Sequence, residues 1–342
     1  MSALALAAPA TRLQPGLEVG TPGVLGSLAL RPGDRRRPEA GEVEVEVCAA
    51  GLNFKDVLLA LGFIPLPATA RVRLGSECAG RVAALGEGVE GLAVGDEVVS
   101  FGYGCFAPYA ICPAGLVLKK PEHLSFVEAA TIPVAFSTAC VALLELARLR
   151  RGERLLVHAA AGGVGMAAVQ VARRIGAVVF ATAGSEEKRD FLRSLGIEHV
   201  FDSRSLRFAD EVMKWTSGHG VDVVLNSLAG DFIPRSLSVL APHGRFLEIG
   251  KRDIYANTAL GMRHFERGLS FIAVNLDWSR GGFGTVWRRV VRRFADRSFE
   301  PLPHRVFPLD QAAAAFQYMA EARHIGKVVL AVAAAEGRRY GA

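Results

Sequence analysis

The sequence contains few cysteines, and their arrangement argues against two kinds of site. Only five of its 342 residues are cysteines. They are odd in number, scattered along the chain and form no Cys-x-x-Cys pair, so we expect neither a disulfide framework nor a structural zinc site. We predict a reducing compartment, no bound metal, and thiols that act as small apolar packing groups.

Long apolar runs are also lacking. No run approaches the roughly 18 uncharged residues that a membrane span requires. The N-terminal MSALALAAPA has neither the basic flank nor the long apolar core of a secretory leader. The sequence therefore predicts a cytoplasmic protein without a membrane segment, in which only the ends, including the tail AAAEGRRYGA, are unstructured.

Charge is only mildly unbalanced. The formal net charge is +6, and much of the excess comes from arginine clusters at 35–37, 150–151, 288–289 and 292–293. Nucleic-acid binding would require a recognisable motif or interleaved aromatic residues, and we find neither. The clusters favour an acidic protein partner or a phosphorylated ligand, with ordinary solvated surface charge as the alternative.

The residues that are present predict two domains. The composition, 51% hydrophobic and 22% charged, is typical of a well-packed globular protein, and the length is large for one core. From about 41 to 120, short alternating segments such as GEVEVEV predict an antiparallel, barrel-like β domain. After 150, apolar strands alternate with amphipathic helices, which predicts a doubly wound parallel sheet.

A glycine-rich loop lies between the first strand and the first helix of the second domain. VHAAAGGVG, at 157–165, carries the spacing G-x-G-x-x-G with alanine in the first place. In this position such a loop presents backbone N–H groups to a pyrophosphate. We predict that it binds a dinucleotide through Ala160, Gly162, Gly163, Val164 and Gly165.

The end of the next strand indicates which dinucleotide. NAD-binding sheets usually carry Asp or Glu there to bind the ribose hydroxyl, but this chain has Gly184 and Ser185, followed by Lys188. Ser203 and Arg204 follow the next strand. Small polar and cationic groups suit a 2′-phosphate, so we predict NADPH. The alternative for Lys188 is an ordinary exposed helix lysine.

Several segments together resemble one enzyme family. They are GLNFKDVLLALG, LVHAAAGGVGMAAVQVAR, GVDVVLNSLAG, GRFLEIGKRDI and ARHIGKVVL. The chain closely resembles, over about residues 1–332, the enoyl reductase domains of modular type I polyketide synthases and animal-type fatty acid synthases. These belong to the zinc-free branch of the medium-chain dehydrogenase/reductase superfamily. NSLAG and EIGK carry the resemblance most specifically, because they distinguish synthase enoyl reductases from general quinone reductases.

The resemblance implies a GroES-like β-rich substrate domain with an inserted Rossmann domain. We place the first part of the substrate-binding domain at 1–132, the NADPH-binding domain at 133–274, and the return to the substrate-binding domain with the C-terminal tail at 275–342. It also implies NADPH-dependent reduction of a trans-2-enoyl thioester on an acyl carrier protein. Where zinc-dependent relatives carry a histidine ligand this chain has Ser76, which fits the zinc-free branch.

Two residues are candidates for catalysis. Lys251 directly follows the segment GRFLEIG, and Asp277 directly follows SFIAVNL. If both segments are strands, both residues lie at the edge where open α/β sheets bind ligands. The resemblance implies that they lie beside the nicotinamide and act in protonation of the α-carbon. A structural ion pair at the domain seam is the alternative.

The resemblance assigns further residues to the cofactor and names partners. The residues are Asn53, Thr138, Asn226, Gly250 and Lys327. For Asn53 a structural turn asparagine is the alternative, and His158 is expected to be a packed strand residue. The implied partners are the carrier protein and neighbouring synthase domains such as ketoreductase and dehydratase, with no nucleic acid and no membrane. Ile64 stands where many relatives that form one α-methyl configuration have tyrosine, which favours the other configuration or no stereochemical demand.

Two other functions remain open at this point. One is a free-standing NADPH quinone or small-enone reductase, which needs hydride transfer but no paired lysine and aspartate. The other is a non-catalytic nucleotide-binding structural or regulatory protein, because fold alone does not fix function.

Overall fold

The computed structural model describes residues 12–64, 74–278 and 282–332. The extreme N-terminus and the C-terminal tail, for which the sequence predicts no structure, lie outside this range. The strands are β1 Arg12–Glu18, β2 Ala29–Arg35, β3 Glu42–Leu52, β4 Glu77–Leu85, β5 Glu97–Phe101, β6 Tyr109–Pro113, β7 Val117–Lys119, β8 Arg154–Val157, β9 Val178–Ala183, β10 His199–Asp202, β11 Val221–Asn226, β12 Leu240–Glu248, β13 Ser270–Ala273, β14 His304–Pro308 and β15 Lys327–Ala331. The helices are α1 Phe54–Ala60, α2 Phe126–Ala129, α3 Pro133–Cys140, α4 Gly163–Ile175, α5 Glu186–Ser194, α6 Phe208–Trp215, α7 Phe232–Ser238, α8 Arg252–Tyr255, α9 Phe283–Ala295 and α10 Ala312–Ala320.

The first sheet combines strands from both ends of the chain. Its order is β14-β15-β3-β4-β5-β7, and β6 also pairs with β3. The β3–β4 ladder is antiparallel, as the sequence predicts for this domain, although β3 is buried over most of its length. Because β14 and β15 join this sheet, the C-terminal region returns to the first domain. The GroES-like substrate domain predicted from the resemblance is thereby confirmed.

The second sheet is parallel throughout. Its order, β10-β9-β8-β11-β12-β13, places the chain reversal between β8 and β11. This is the doubly wound arrangement whose ligand crevice lies at the carboxyl ends of the central strands. The predicted Rossmann domain is confirmed, and the glycine-rich loop directly follows the central strand β8.

One apolar cluster joins the two sheets. It includes Ala49 and Phe101 from the first sheet, Phe136 from α3, and Leu155 from the second sheet. α9 closes this cluster with Trp287, which is fully buried and donates from its indole nitrogen to the Leu116 carbonyl. The seam between the domains is therefore packed as a core, which fixes the second sheet relative to the first domain.

Two expectations about apolar segments need correction. The stretch Phe126–Leu146 is helical, 21 residues long, and apolar enough by length and composition to cross a membrane. Most of it is buried against the rest of the chain, as in the core helix of a globular protein. SFIAVNL is only partly a strand, since β13 ends at Ala273. Asp277 therefore lies four residues beyond the sheet, on the connecting segment.

Candidate active site

The glycine-rich loop forms the N-terminus of α4. Gly162 is the N-cap residue, and the helix runs for 13 residues from Gly163. The first N–H groups of such a helix have no intrahelical acceptor and can donate to an anion. A side chain at Gly165 would bring its Cβ within 2.6 Å of the Ala159 carbonyl oxygen and the Ala160 Cα. This close packing against the loop that follows β8 explains the glycine and fits a pyrophosphate cradle.

The residues predicted for the ribose phosphate converge beyond β9. Ser185 caps α5, and its hydroxyl accepts from the Lys188 N–H. A Cβ at Gly184 would lie 3.2 Å from Arg204 Nε and 3.4 Å from Ser203 Oγ, so both side chains cover the end of this strand. Burial and the neighbouring Arg204 lower the pKa of Lys188. A dianionic ligand between Lys188 and Arg204 would offset the repulsion between these two cations.

Lys327 connects the loop to the first domain. Its aliphatic stem runs beside Gly163, whose Cβ would lie 2.8 Å from the lysine Cδ. The ammonium is buried and donates to Glu77 at 2.6 Å, to Asn53 Oδ1 at 2.8 Å and to the Leu52 carbonyl at 3.0 Å. Glu77 also accepts from Asn53 Nδ2 at 2.7 Å. Lys327 and Glu77 thus hold both ends of the Asn53 amide.

A second buried carboxylate lies at the end of β12. Glu248 is 2% exposed and accepts from Asn226 Nδ2 and from the Gly250 N–H, each at 2.6 Å. Burial raises the pKa of Glu248 to about 7, against the lowering effect of these two donors. Asn226 also bonds the backbone of Leu228 through both ends of its amide. The predicted cofactor residues Asn226 and Gly250 are therefore fixed by one side chain.

Lys251 lies at the edge of the sheet beside this group. Its Nζ donates to the Val274 carbonyl at 2.8 Å, which anchors it to the segment that leads to Asp277. Burial lowers the pKa of Lys251, the Glu248 carboxylate raises it, and Lys55 lowers it. Asp277 is exposed. The two predicted catalytic residues thus lie on adjoining segments at the carboxyl edge of the sheet.

The remaining predicted residues have clear surroundings. Thr138 is buried on α3. His158 directly follows β8 and is fully enclosed, with its ring nitrogens bonded to the hydroxyls of Thr182 and Ser236. Burial lowers the pKa of His158 to about 3, so it stays neutral and packed, as expected. All five cysteines are buried, and Ile64 is 8% exposed at the end of a described segment.

Sequence reasoning alone misses three features of the site. Glu77 directly follows Ser76, and Glu248 belongs to the EIGK motif, but neither acid is selected by its local pattern. Trp278 follows Asp277, and its ring lies 5.2 Å from the ring of the exposed Tyr103. These aromatic rings bring the first domain against the segment that carries Asp277. The EIGK and Gly-Ser-Glu motifs are the sequence signals that could have pointed to Glu248 and Glu77; we find none for Trp278.

Family models match both parts of the chain. An alcohol dehydrogenase GroES-like domain matches residues 39–122, and a zinc-binding dehydrogenase domain matches residues 195–330. Within residues 12–64, 74–278 and 282–332, no group of three or more His, Cys, Asp or Glu side chains could hold a metal ion.

Solved structures identify the family. The crystal structure of the CurK enoyl reductase is 42% identical, with a TM-score of 0.86 over 94% of this chain and 99% of that chain. The chain belongs to the polyketide synthase enoyl reductases of the medium-chain dehydrogenase/reductase superfamily. This enoyl reductase is also similar to mycobacterial Rv1454c, solved in complex with NADPH, at 27% identity and a TM-score of 0.83 over 93% of this chain and 99% of that chain. Both similarities indicate that the present chain is an oxidoreductase that uses a nicotinamide cofactor.

A curated relative is a much longer protein. A phenolphthiocerol/phthiocerol polyketide synthase from Mycobacterium tuberculosis is 45% identical over 327 residues, which is 94% of this chain. The enoyl reductase spans only 15% of that relative's length. A mycocerosic acid synthase-like polyketide synthase from the same organism matches at 42% identity over 92% of this chain, again over 15% of its own length.

Proposed function

We propose that this enzyme uses NADPH to reduce a trans-2-enoyl thioester on an acyl carrier protein to the saturated acyl thioester during polyketide or fatty acid assembly. The observation that carries the proposal is the placement of Lys251. It lies just after the end of β12, at the same sheet edge as the glycine-rich loop. Its Nζ donates to the carbonyl of Val274, three residues before Asp277. This edge of a doubly wound sheet is where such folds bind dinucleotides, and it brings Lys251 to the same place.

The residues at this edge fit the cofactor. The N-terminus of α4, with Ala160, Gly162, Gly163, Val164 and Gly165, would hold the pyrophosphate. Gly184, Ser185, Lys188, Ser203 and Arg204 would hold the 2′-phosphate, which supports NADPH over NADH. Asn53, Thr138, Asn226 and Gly250 would line the nicotinamide end. Lys327 would act through Asn53, because its ammonium is already bound to Glu77 and the Asn53 oxygen.

The bound cofactor supplies a hydride to the β-carbon of the enoyl thioester, and the residues must manage the rest of the reaction. The α-carbon then needs a proton, and the negative charge that develops on the thioester oxygen needs a cation or a donor. We assign Lys251 to both tasks. Asp277 either returns a proton to the lysine or orients it.

The partners follow from the relatives and from surface charge. The curated relatives are polyketide synthases several times longer than this chain. We propose neighbouring synthase domains such as ketoreductase and dehydratase, and an acidic carrier protein that delivers the substrate. We propose the arginine face of α9 as the docking surface, because Arg288 and Arg292 are exposed there. The side chains of Arg35, Arg36, Arg289 and Arg293 each pair with a carboxylate.

The proposal is tested by NADPH oxidation with a crotonyl thioester and, separately, with a quinone. We expect turnover of the thioester to saturated product and little turnover of the quinone. Lys251→Ala should slow thioester reduction by about 10² to 10⁴, the range for loss of a general acid, with little change in NADPH affinity. Efficient quinone reduction without thioester reduction would indicate a free-standing quinone reductase instead.

The double variant Lys251→Ala with Asp277→Asn separates the roles of the two residues. A relaying carboxylate should matter about as much as the lysine, and an orienting carboxylate should matter less. If the double variant keeps near-normal turnover and the same product configuration, neither residue donates the proton. They would then be a structural pair at the domain seam.

A further inference from the structure

The two motifs that distinguish this family from quinone reductases contact each other. Asn226 opens NSLAG and Glu248 opens EIGK, and the Asn226 amide donates to the Glu248 carboxylate at 2.6 Å. A second bond joins the same segments, from the Gly230 N–H to Asp253 Oδ2 at 3.1 Å. The loops that follow β11 and β12 are therefore fixed to each other directly beside Lys251.

Glu248 shapes the bend that precedes Lys251. Its Oε1 accepts from the Gly250 N–H, and a Cβ at Gly250 would lie only 2.6 Å from the same oxygen. Any larger residue would displace the carboxylate or open the bend. The chain therefore turns tightly around the buried acid and presents the next residue, Lys251, at the edge of the sheet.

The hydrogen bonds favour the ionised form of this acid. Both Asn226 Nδ2 and the Gly250 N–H are donors, and neither can accept a proton from a neutral carboxyl group. Burial and the nearby Asp253 oppose ionisation, while these donors and Lys251 favour it. Removing one acceptor from such a buried set leaves its donors unsatisfied.

We propose that Glu248 is a positioning residue that aims Lys251 at the reacting carbons and keeps its amino group protonated. The proposal rests on the proposed function, because it gives Lys251 the protonation step. Glu248 acts through the bend at Gly250 and through its charge. Lys55, on α1, opposes that charge effect.

The pH dependence of this device has a defined sign. Burial places the pKa of Glu248 at about 7, so the carboxylate is mostly neutral at pH 6 and mostly ionised at pH 8. Only the ionised form attracts the ammonium. Glu248 should therefore stabilise charged Lys251 at pH 8 and have little effect on it at pH 6.

The test measures Lys251 directly and needs no substrate. Limited acetylation with acetic anhydride, followed by mass spectrometry, reports the fraction of neutral amine at each lysine. In Glu248→Gln, Lys251 should acetylate about threefold to tenfold faster than in the wild type at pH 8, and at nearly the same rate at pH 6. Equal rates at pH 8 would overturn the proposal.

Asp253→Asn is the matched control. It weakens the other bond between the same two segments and leaves the Glu248 carboxylate in place. Lys251 acetylation in this variant should stay within about twofold of the wild type. If it rises as much as in Glu248→Gln, loop loosening explains the effect, and the charge of Glu248 does not.

Two further readouts keep the result decisive. If Glu248→Gln does not fold, the wild type alone suffices: label on Lys251, relative to the exposed Lys214, should fall about threefold to tenfold between pH 6 and pH 8, and a constant ratio would overturn the proposal. If the wild type fails to reduce crotonyl thioester but shows this labelling pattern, the proposed function fails and the charge coupling stands. Normal reduction with no labelling difference rejects the positioning role only.

Discussion

Two buried carboxylates in this enzyme each bind an asparagine and a backbone N–H, yet their surroundings differ. Glu77 lies at the domain seam, where it binds Asn53, the Val134 N–H and the ammonium of Lys327. Glu248 lies at the carboxyl edge of the second sheet, which we call the cofactor edge and which runs from the glycine-rich loop to Lys251. There both of its hydrogen-bond partners, Asn226 and Gly250, are uncharged. The Lys327 ammonium directly contacts Glu77 and balances its charge. Glu248 has no bonded cation, and burial raises its pKa to about 7.

The difference indicates two uses for the same polar pattern. A buried ion pair with all its hydrogen bonds made contributes a fixed geometry, and at the seam this geometry holds the Asn53 amide in place. A buried acid without a bonded cation can change its protonation near neutral pH and act on a neighbouring lysine. The Glu77–Lys327 ion pair therefore fixes the geometry of the seam, whereas Glu248 can respond to pH at the cofactor edge.

Removing the seam cation should give the largest effect. Lys327→Met leaves the carboxylate of Glu77 buried without its counter-ion, so we expect the free energy of unfolding to fall by about 3–5 kcal/mol. Denaturant unfolding measures this. Lys327→Met combined with Glu77→Gln should recover part of the loss, because no buried charge then remains. A loss in the single variant as small as that of the exposed Lys55→Met would show that the seam and the cofactor edge do not differ in this way.

The residues proposed to bind the ribose phosphate lie at the other end of the cofactor edge, and their variants test the preference for NADPH. Lys188→Ala with Arg204→Ala should raise the Kd for NADPH by about 10-fold to 100-fold, since two charge-assisted contacts are lost. The Kd for NADH should change by less than about threefold, because it lacks the phosphate. Titration of cofactor fluorescence measures both, with the exposed Lys214→Ala as control. Equal losses for the two cofactors would remove the argument for NADPH.

His158 extends the comparison to a buried polar group that carries no charge. Burial lowers the pKa of His158 to about 3, whereas its value in the unfolded chain is near 6.5. As pH falls below 6.5, the unfolded state takes up a proton and the folded state does not, so this site lowers stability toward pH 3. The stability advantage of the wild type over His158→Gln should shrink by about 2 kcal/mol between pH 7 and pH 5. A difference that does not vary with pH would place the neutral imidazole in doubt.

Surface charge should give the smallest effect. Arg288 and Arg292 lie on the exposed face of α9. Replacing both arginines with alanine should lower kcat/KM for a carrier-bound enoyl chain by about twofold to fivefold at low salt, and should leave the pantetheine-linked substrate unchanged. If both substrates respond equally, the arginine face is ordinary solvated surface.

Local patterns predicted the parts of this enzyme that depend on local sequence. The glycine-rich loop and the contrast between the β-rich and the alternating strand–helix domains follow from neighbouring residues, and both are present. Glu77 and Lys327 are separated by 250 positions, and Glu248 and Asn226 by 22 positions. Such contacts depend on how strands align and domains meet, which no short motif encodes. The motif NSLAG marked Asn226 as specific, but only the fold shows what it binds.

The end of β13 illustrates the same limit. SFIAVNL is apolar over most of its length, so its sequence predicts a strand up to the aspartate. In the structure only Ser270–Ala273 pairs with β12. The Val274 N–H still donates to the Glu248 carbonyl at the end of β12, but the Val274 carbonyl accepts from Lys251 Nζ and the strand ends. The contact with Lys251 therefore overrides the preference of this apolar segment for a strand.

The central claim is tested most directly by following the hydride. A single turnover with NADPH deuterated on its transferable position and crotonyl-pantetheine should give butyryl-pantetheine with one deuterium at the β-carbon and a solvent proton at the α-carbon. Mass spectrometry and NMR locate both atoms. If NADPH is not oxidised, or if only a quinone offered in parallel is reduced, this chain does not act as an enoyl thioester reductase.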